Sequence, residues 1–108
     1  MNHADIDAFV KQIVVKFNPE KIILFGSRAS GKASSDSDVD LFVVMSTRLK
    51  SIAQEVLIRK EIPSNFPLDL IVMKPHQIEK RKRLGDTFIH TVFSKGKILY
   101  EKDNVRVG

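Results

Sequence analysis

Asp38 and Asp40 stand two positions apart where a polar stretch gives way to an apolar run, and Asp69 lies inside a second run, Leu68 to Met73. Carboxylates fit poorly in such runs unless something specific holds them there. Residues i and i+2 of a strand point to one face, so Asp38 and Asp40 can aim at one spot. Asp69 joins them if its strand is a neighbour. Three close carboxylates repel, which raises their affinity for protons, and a divalent cation relieves that repulsion. Oxygen donors without Cys or His suit Mg²⁺ or Mn²⁺. Two such ions can stabilise the attacking and leaving oxygens of an in-line phosphoryl displacement.

Upstream, Phe25-Gly26-Ser27 closes another apolar run. Gly26 lets the backbone approach a ligand closely, and the amides of Ser27 and Arg28 can open a helical turn that binds phosphate. The Ser27 hydroxyl adds a donor, and Arg28 or Lys32 adds positive charge.

These residues need a frame. Ile6, Phe9, Val10, Ile13, Val14 and Phe17 recur at helical spacing, predicting an amphipathic helix over 4–17 that starts near Asn2 or His3 and ends at Asn18-Pro19. Lys21–Phe25, Val39–Met45 and Leu68–Met73 read as strands. Residues 26–37 read as loop or a short helical turn, with Asp36 a solvated turn residue. Thr47 is expected to cap a helix whose inner face is Leu49, Ile52, Ala53, Val56 and Leu57. Lys74-Pro75 opens a basic helical segment that runs through Arg83, and Gly85 interrupts it. Asp86 is expected to cap a last helix with Phe88, Ile89, Val92 and Phe93 inside; Phe88 and Val92 are alternatively partner-facing. Gly96 sits where a left-handed helix-ending glycine belongs. Lys97–Glu101 is expected as a final strand, with Tyr100 packed in it, and Asn104–Gly108 as a frayed end. The order αββαβαα(β) predicts an α/β (α+β) fold, a small mixed sheet flanked by helices.

The 108 residues suit one domain, 1–108, and an apolar fraction of 43% suits a packed core. There is no cysteine, which excludes disulfides and Cys-based zinc sites and favours a reducing compartment. Residues 1–5 do not resemble a secretory signal, and no apolar run is long enough to span a bilayer. The expectation is a cytoplasmic protein without membrane contact. A net charge of +5 favours anionic partners.

The run Gly26-Ser27-Arg28-Ala29-Ser30-Gly31, followed by Ser37-Asp38-Val39-Asp40-Leu41, resembles the signature of the DNA polymerase β nucleotidyltransferase superfamily. It looks most like the minimal nucleotidyltransferases. Leu68-Asp69-Leu70-Ile71-Val72 is similar to the strand that carries their third carboxylate. The ending Phe88-Ile89-His90-Thr91-Val92-Phe93, then Ile98-Leu99-Tyr100-Glu101, also resembles that group. Ser30 departs from the pattern, standing where these proteins often carry Arg. The resemblance implies that Gly26 and Ser27 hold the triphosphate of ATP and that Asp38 and Asp40 bind Mg²⁺. Asp69 would complete the metal site and help activate an acceptor hydroxyl. Such stand-alone domains are often antitoxins of a helical HEPN-family ribonuclease toxin, and some transfer AMP to a tyrosine of that toxin. A hetero-oligomer with such a partner is therefore expected.

The same residues admit other readings. Gly26 to Lys32 nearly spells a Walker A loop, but Ala33 stands where the Mg²⁺-binding hydroxyl belongs. Asp36-x-Asp38-x-Asp40 could open a calcium loop, but Leu41 and Thr47 occupy its required Gly and Glu positions. Lys80-Arg81-Lys82-Arg83 reads as a solvated helix face in preference to an RNA contact. Two alternatives to protein modification stay open at this level. One is a non-catalytic module that masks the toxin; the other is transfer to a small molecule or RNA.

Overall fold

A computed structural model describes residues 3–32 and 37–102. The expectations for Asn2, Asp36 and Asn104–Gly108 lie outside the described residues. The elements run α1 (His3–Phe17), β1 (Lys21–Phe25), α2 (Ser27–Ser30), β2 (Val39–Val44), α3 (Ser51–Glu61), β3 (Leu68–Met73), α4 (Pro75–Arg83), α5 (Thr87–Lys95) and β4 (Lys97–Glu101). This is the expected order, with the short helical turn after Gly26 realised as α2.

The four strands form one mixed sheet in the order β3-β2-β1-β4. β1 lies antiparallel to β2 and β4, whereas β2 and β3 are parallel. A parallel pair needs a crossover, and α3 supplies it. Apart from Lys21 and Asp40, the inner strands β1 and β2 are apolar because both sheet faces are covered. On one face Ile6, Phe9, Val10 and Ile13 of α1 and Ile58 of α3 pack against Ile22, Leu24, Val39, Leu41 and Val43. On the other, Ile78 of α4 and Ile89 and Val92 of α5 pack against Ile23, Phe42 and Val44. Tyr100 packs half-buried against the first face, as expected.

Four local expectations need correction. Helix α3 starts at Ser51 with Lys50 at its N-cap, and its buried residues are Gln54 and Ile58. Ile52 is 74% exposed and Val56 58%. The rotation of α3 is set by polar tethers to the free edge of β3. The Val72 amide donates to Glu55 at 2.9 Å, and Arg59 donates to the Leu68 carbonyl at 3.0 Å. An unpaired strand edge is costly to leave bare, and these two side chains cover it. Thr47 does not cap the helix; its hydroxyl accepts from the Leu49 amide and donates to Gln54.

Gly96 does end α5, but in an extended conformation with φ −71°. Glycine is required there for space. A Cβ would overlap the Val92 carbonyl and the Ile23 side chain. Phe88 was expected inside and is 38% exposed, whereas Val92 is buried.

Candidate active site

The register of the sheet assembles the aspartates. Asp40 lies opposite Asp69 in the parallel β2–β3 pair and opposite Phe25 in the antiparallel β1–β2 pair. Side chains of register partners share a face, so the carboxylates of Asp40 and Asp69 project side by side. Asp38 precedes β2 on the same strand path and is exposed, as is Asp69. Asp40 is half-buried on the face that α4 and α5 cover.

Asp40 shows that the three charges are neighbours. Its carboxyl is held above the ordinary value of 3.8, first by burial, then by the charges of Asp69 and Asp38. Desolvation and like charge both disfavour the ionised form, and a cation would reverse the second effect.

Gly26 stands against this carboxylate. Its φ is +75°, and a Cβ there would run into Asp40 Oδ2. Both conformation and space therefore demand glycine. The turn that follows is α2. Ala29 and Ser30 donate to the Gly26 carbonyl, which leaves the amides of Ser27 and Arg28 outside the helical bonding. Lys32 donates its amide to the Ser27 carbonyl and exposes its side chain. Ser30 donates its hydroxyl to the Ser27 carbonyl, so this departure from the superfamily pattern tightens the turn.

Arg28 was expected at the phosphates. Its guanidinium donates twice to the Ser37 carbonyl, from Nε at 3.2 Å and from Nη2 at 2.9 Å. This latch closes the polar loop and holds the residue that immediately precedes Asp38. It escaped sequence reasoning because it joins positions nine apart across a loop with no periodic signal.

The donor set fits a hard divalent cation: it consists of carboxylate oxygens, one of them charge-crowded. Among the described residues, no three carboxylate or histidine side chains converge into a ready cage.

Comparisons with known proteins bear on the family and the fold. The family model for polymerase β nucleotidyltransferases matches residues 5–105. No curated protein matches the chain significantly. Among solved structures, a candidate nucleotidyltransferase from Sulfolobus solfataricus is similar at 19% identity with a TM-score of 0.66, over 96% of this chain and 84% of that one. A toxin–antitoxin complex with AMP-PNP is similar at 24% identity and TM-score 0.61, over 95% of this chain and 76% of that one. An MntA-HpeT toxin–antitoxin mutant with two aspartate-to-glutamate changes is similar at 22% identity and TM-score 0.60, again over 95% and 76%. At these identities the structural likeness speaks for the fold. The family match spans nearly all of the chain, and this protein belongs to the polymerase β nucleotidyltransferase family.

Proposed function

We propose that this chain is a single-domain cytoplasmic enzyme that transfers AMP from ATP to a hydroxyl of a partner protein. The acceptor is a tyrosine of a HEPN-family toxin, which the chain silences within a hetero-oligomer. The observation that carries the proposal is the register pairing of Asp40 with Asp69, beside the space left by Gly26.

In this reading the triphosphate lies along the Gly26–Ser27 turn, where the amides of Ser27 and Arg28 and the Ser27 hydroxyl face its oxygens. The acceptor oxygen attacks the α-phosphorus, the bond to the bridging oxygen breaks, and pyrophosphate leaves. Asp69, exposed at the outer strand of the pair, accepts the hydroxyl proton. Asp38 and Asp40 hold Mg²⁺, with Asp69 completing the set. When bound, Mg²⁺ supplies electrostatic stabilisation of the attacking and leaving oxygens. Support for a toxin partner and for ATP comes from the structural likeness to the toxin–antitoxin complexes, one of them with AMP-PNP.

Chemistry and masking are separated by one experiment. Asp38→Asn combined with Asp40→Asn should abolish neutralisation of the toxin in cells, while the two proteins still copurify. Neutralisation that survives in the double variant would mean that masking suffices and that the enzymatic account of silencing is wrong.

A further inference from the structure

The phosphate end of the site is set by Gly26, Ser27 and the aspartates, but a nucleotide also has a base to place. Phe88, in the first turn of α5, borders the site on the side of β1. Its ring meets that of Phe25 at a centroid distance of 5.6 Å and 87°, and that of Phe42 at 6.2 Å. Phe25 is the register partner of Asp40 and the residue before Gly26. Phe88 thus packs on the ring of the residue that pairs with Asp40 across the β1–β2 register.

Exposure singles this ring out. Among the described residues, seven large apolar side chains are exposed: Val15, Leu49, Ile52, Val56, Leu84, Phe88 and Ile98. Phe88 is the one aromatic among them. Its neighbours on the same helix, Ile89 and Val92, are buried. An edge contact with the Phe25 ring and a tilted contact with the Phe42 ring hold it in place, and a fixed aromatic loses little freedom when a ligand stacks on it. The Asp86 carboxylate fixes the helix start by accepting from the Ile89 amide at 3.0 Å.

We infer that Phe88 is the nucleobase platform of this site, the surface on which the base of the bound nucleoside triphosphate stacks. The inference rests on the nucleotide-site reading above. Stacking uses the π-face that every base has, so the platform confers affinity with little discrimination between purines. Loss of the ring should weaken nucleotide binding by about tenfold, the range of a single base–aromatic stack.

The test measures equilibrium binding of ATP, GTP and inorganic tripolyphosphate, each with Mg²⁺, to wild type, Phe88→Leu, Phe88→Ala and Phe88→Trp. Phe88→Leu keeps an apolar side chain of similar size, and thermal melting confirms that each variant is folded. The expected result is weaker ATP and GTP binding in Phe88→Leu and Phe88→Ala, retained binding in Phe88→Trp, and unchanged tripolyphosphate binding in all. ATP affinity that is unchanged in Phe88→Leu would overturn the inference while leaving the nucleotide site intact. Equal losses for ATP and tripolyphosphate would also overturn it, since they indicate a structural effect. Phe88 variants that bind nucleotide normally but no longer hold the partner protein would reassign the ring to the protein interface. Wild type that binds neither ATP nor tripolyphosphate would remove the nucleotide-site reading itself, and this inference with it.

Discussion

Asp40 carries the main electrostatic conflict of the site. It is half-buried, faces two other carboxylates, and its proton affinity is raised for both reasons. The folded protein therefore holds this proton more tightly than the unfolded chain, so ionising Asp40 costs stability. That cost is absent below the ordinary value of 3.8 and is complete once the pH exceeds the raised folded value. Asp40→Asn should consequently melt at a higher temperature than wild type at neutral pH without divalent cations. The difference should shrink as the pH is lowered toward and below 3.8; thermal melts across pH check this. Gly26 shows the converse, a residue whose replacement harms both fold and chemistry. Gly26→Ala places a Cβ on the Asp40 carboxylate at φ +75°. It should cost about 1–3 kcal/mol in denaturant unfolding and remove transfer activity. The Arg28 latch gives a third outcome. Arg28→Ala should lower kcat more than it raises KM for ATP, because it frees the Ser37 carbonyl beside Asp38. A change confined to KM would instead return Arg28 to the phosphates.

At the scale of elements, what was legible depended on how local the cause was. The Asp86 cap and the Pro75 start of α4 are written in adjacent residues, and both stand as expected. The strand runs were equally plain, because β1 and β2 are covered on both faces and read as apolar segments, interrupted in β2 by Asp40. The pairing of Asp38 with Asp40 followed from the strand period alone. The register that sets Asp69 beside Asp40 did not, since it depends on which strands become neighbours. The rotation of α3 was misread for a related reason. Leu49, Ile52, Ala53, Val56 and Leu57 make a plausible stripe, but Glu55 and Arg59 bind the backbone edge of a strand that follows α3 in the chain. Gly96 was placed correctly for the wrong reason, because the need is for space and not for a left-handed turn. Gly96→Ala should therefore destabilise by about 1–3 kcal/mol, the cost of overpacking, as read by chemical denaturation. A left-handed glycine would instead be recovered by Asn; here Gly96→Asn should be at least as harmful as Gly96→Ala.

Across the whole molecule, the sheet separates stability from function. The face under α1 and α3 carries the larger apolar cluster, and the other carries the site at one end of its own smaller cluster. No helix among the described residues is long and apolar enough to cross a membrane. The net charge of +5 suits a polyanionic substrate and sets no partner by itself. Family membership gives the class of reaction, and the proposed place for it is the cluster of aspartates beside Gly26. What remains to be measured is the transfer itself. Wild-type protein, Mg²⁺, α-labelled ATP and the protein encoded by the neighbouring gene would be incubated together and resolved on a denaturing gel. The account predicts label on the partner, reduced on the order of a thousandfold in the Asp38→Asn/Asp40→Asn variant. Label that persists in the double variant, or a partner left unlabelled with Mn²⁺ and other nucleotides also supplied, would contradict it.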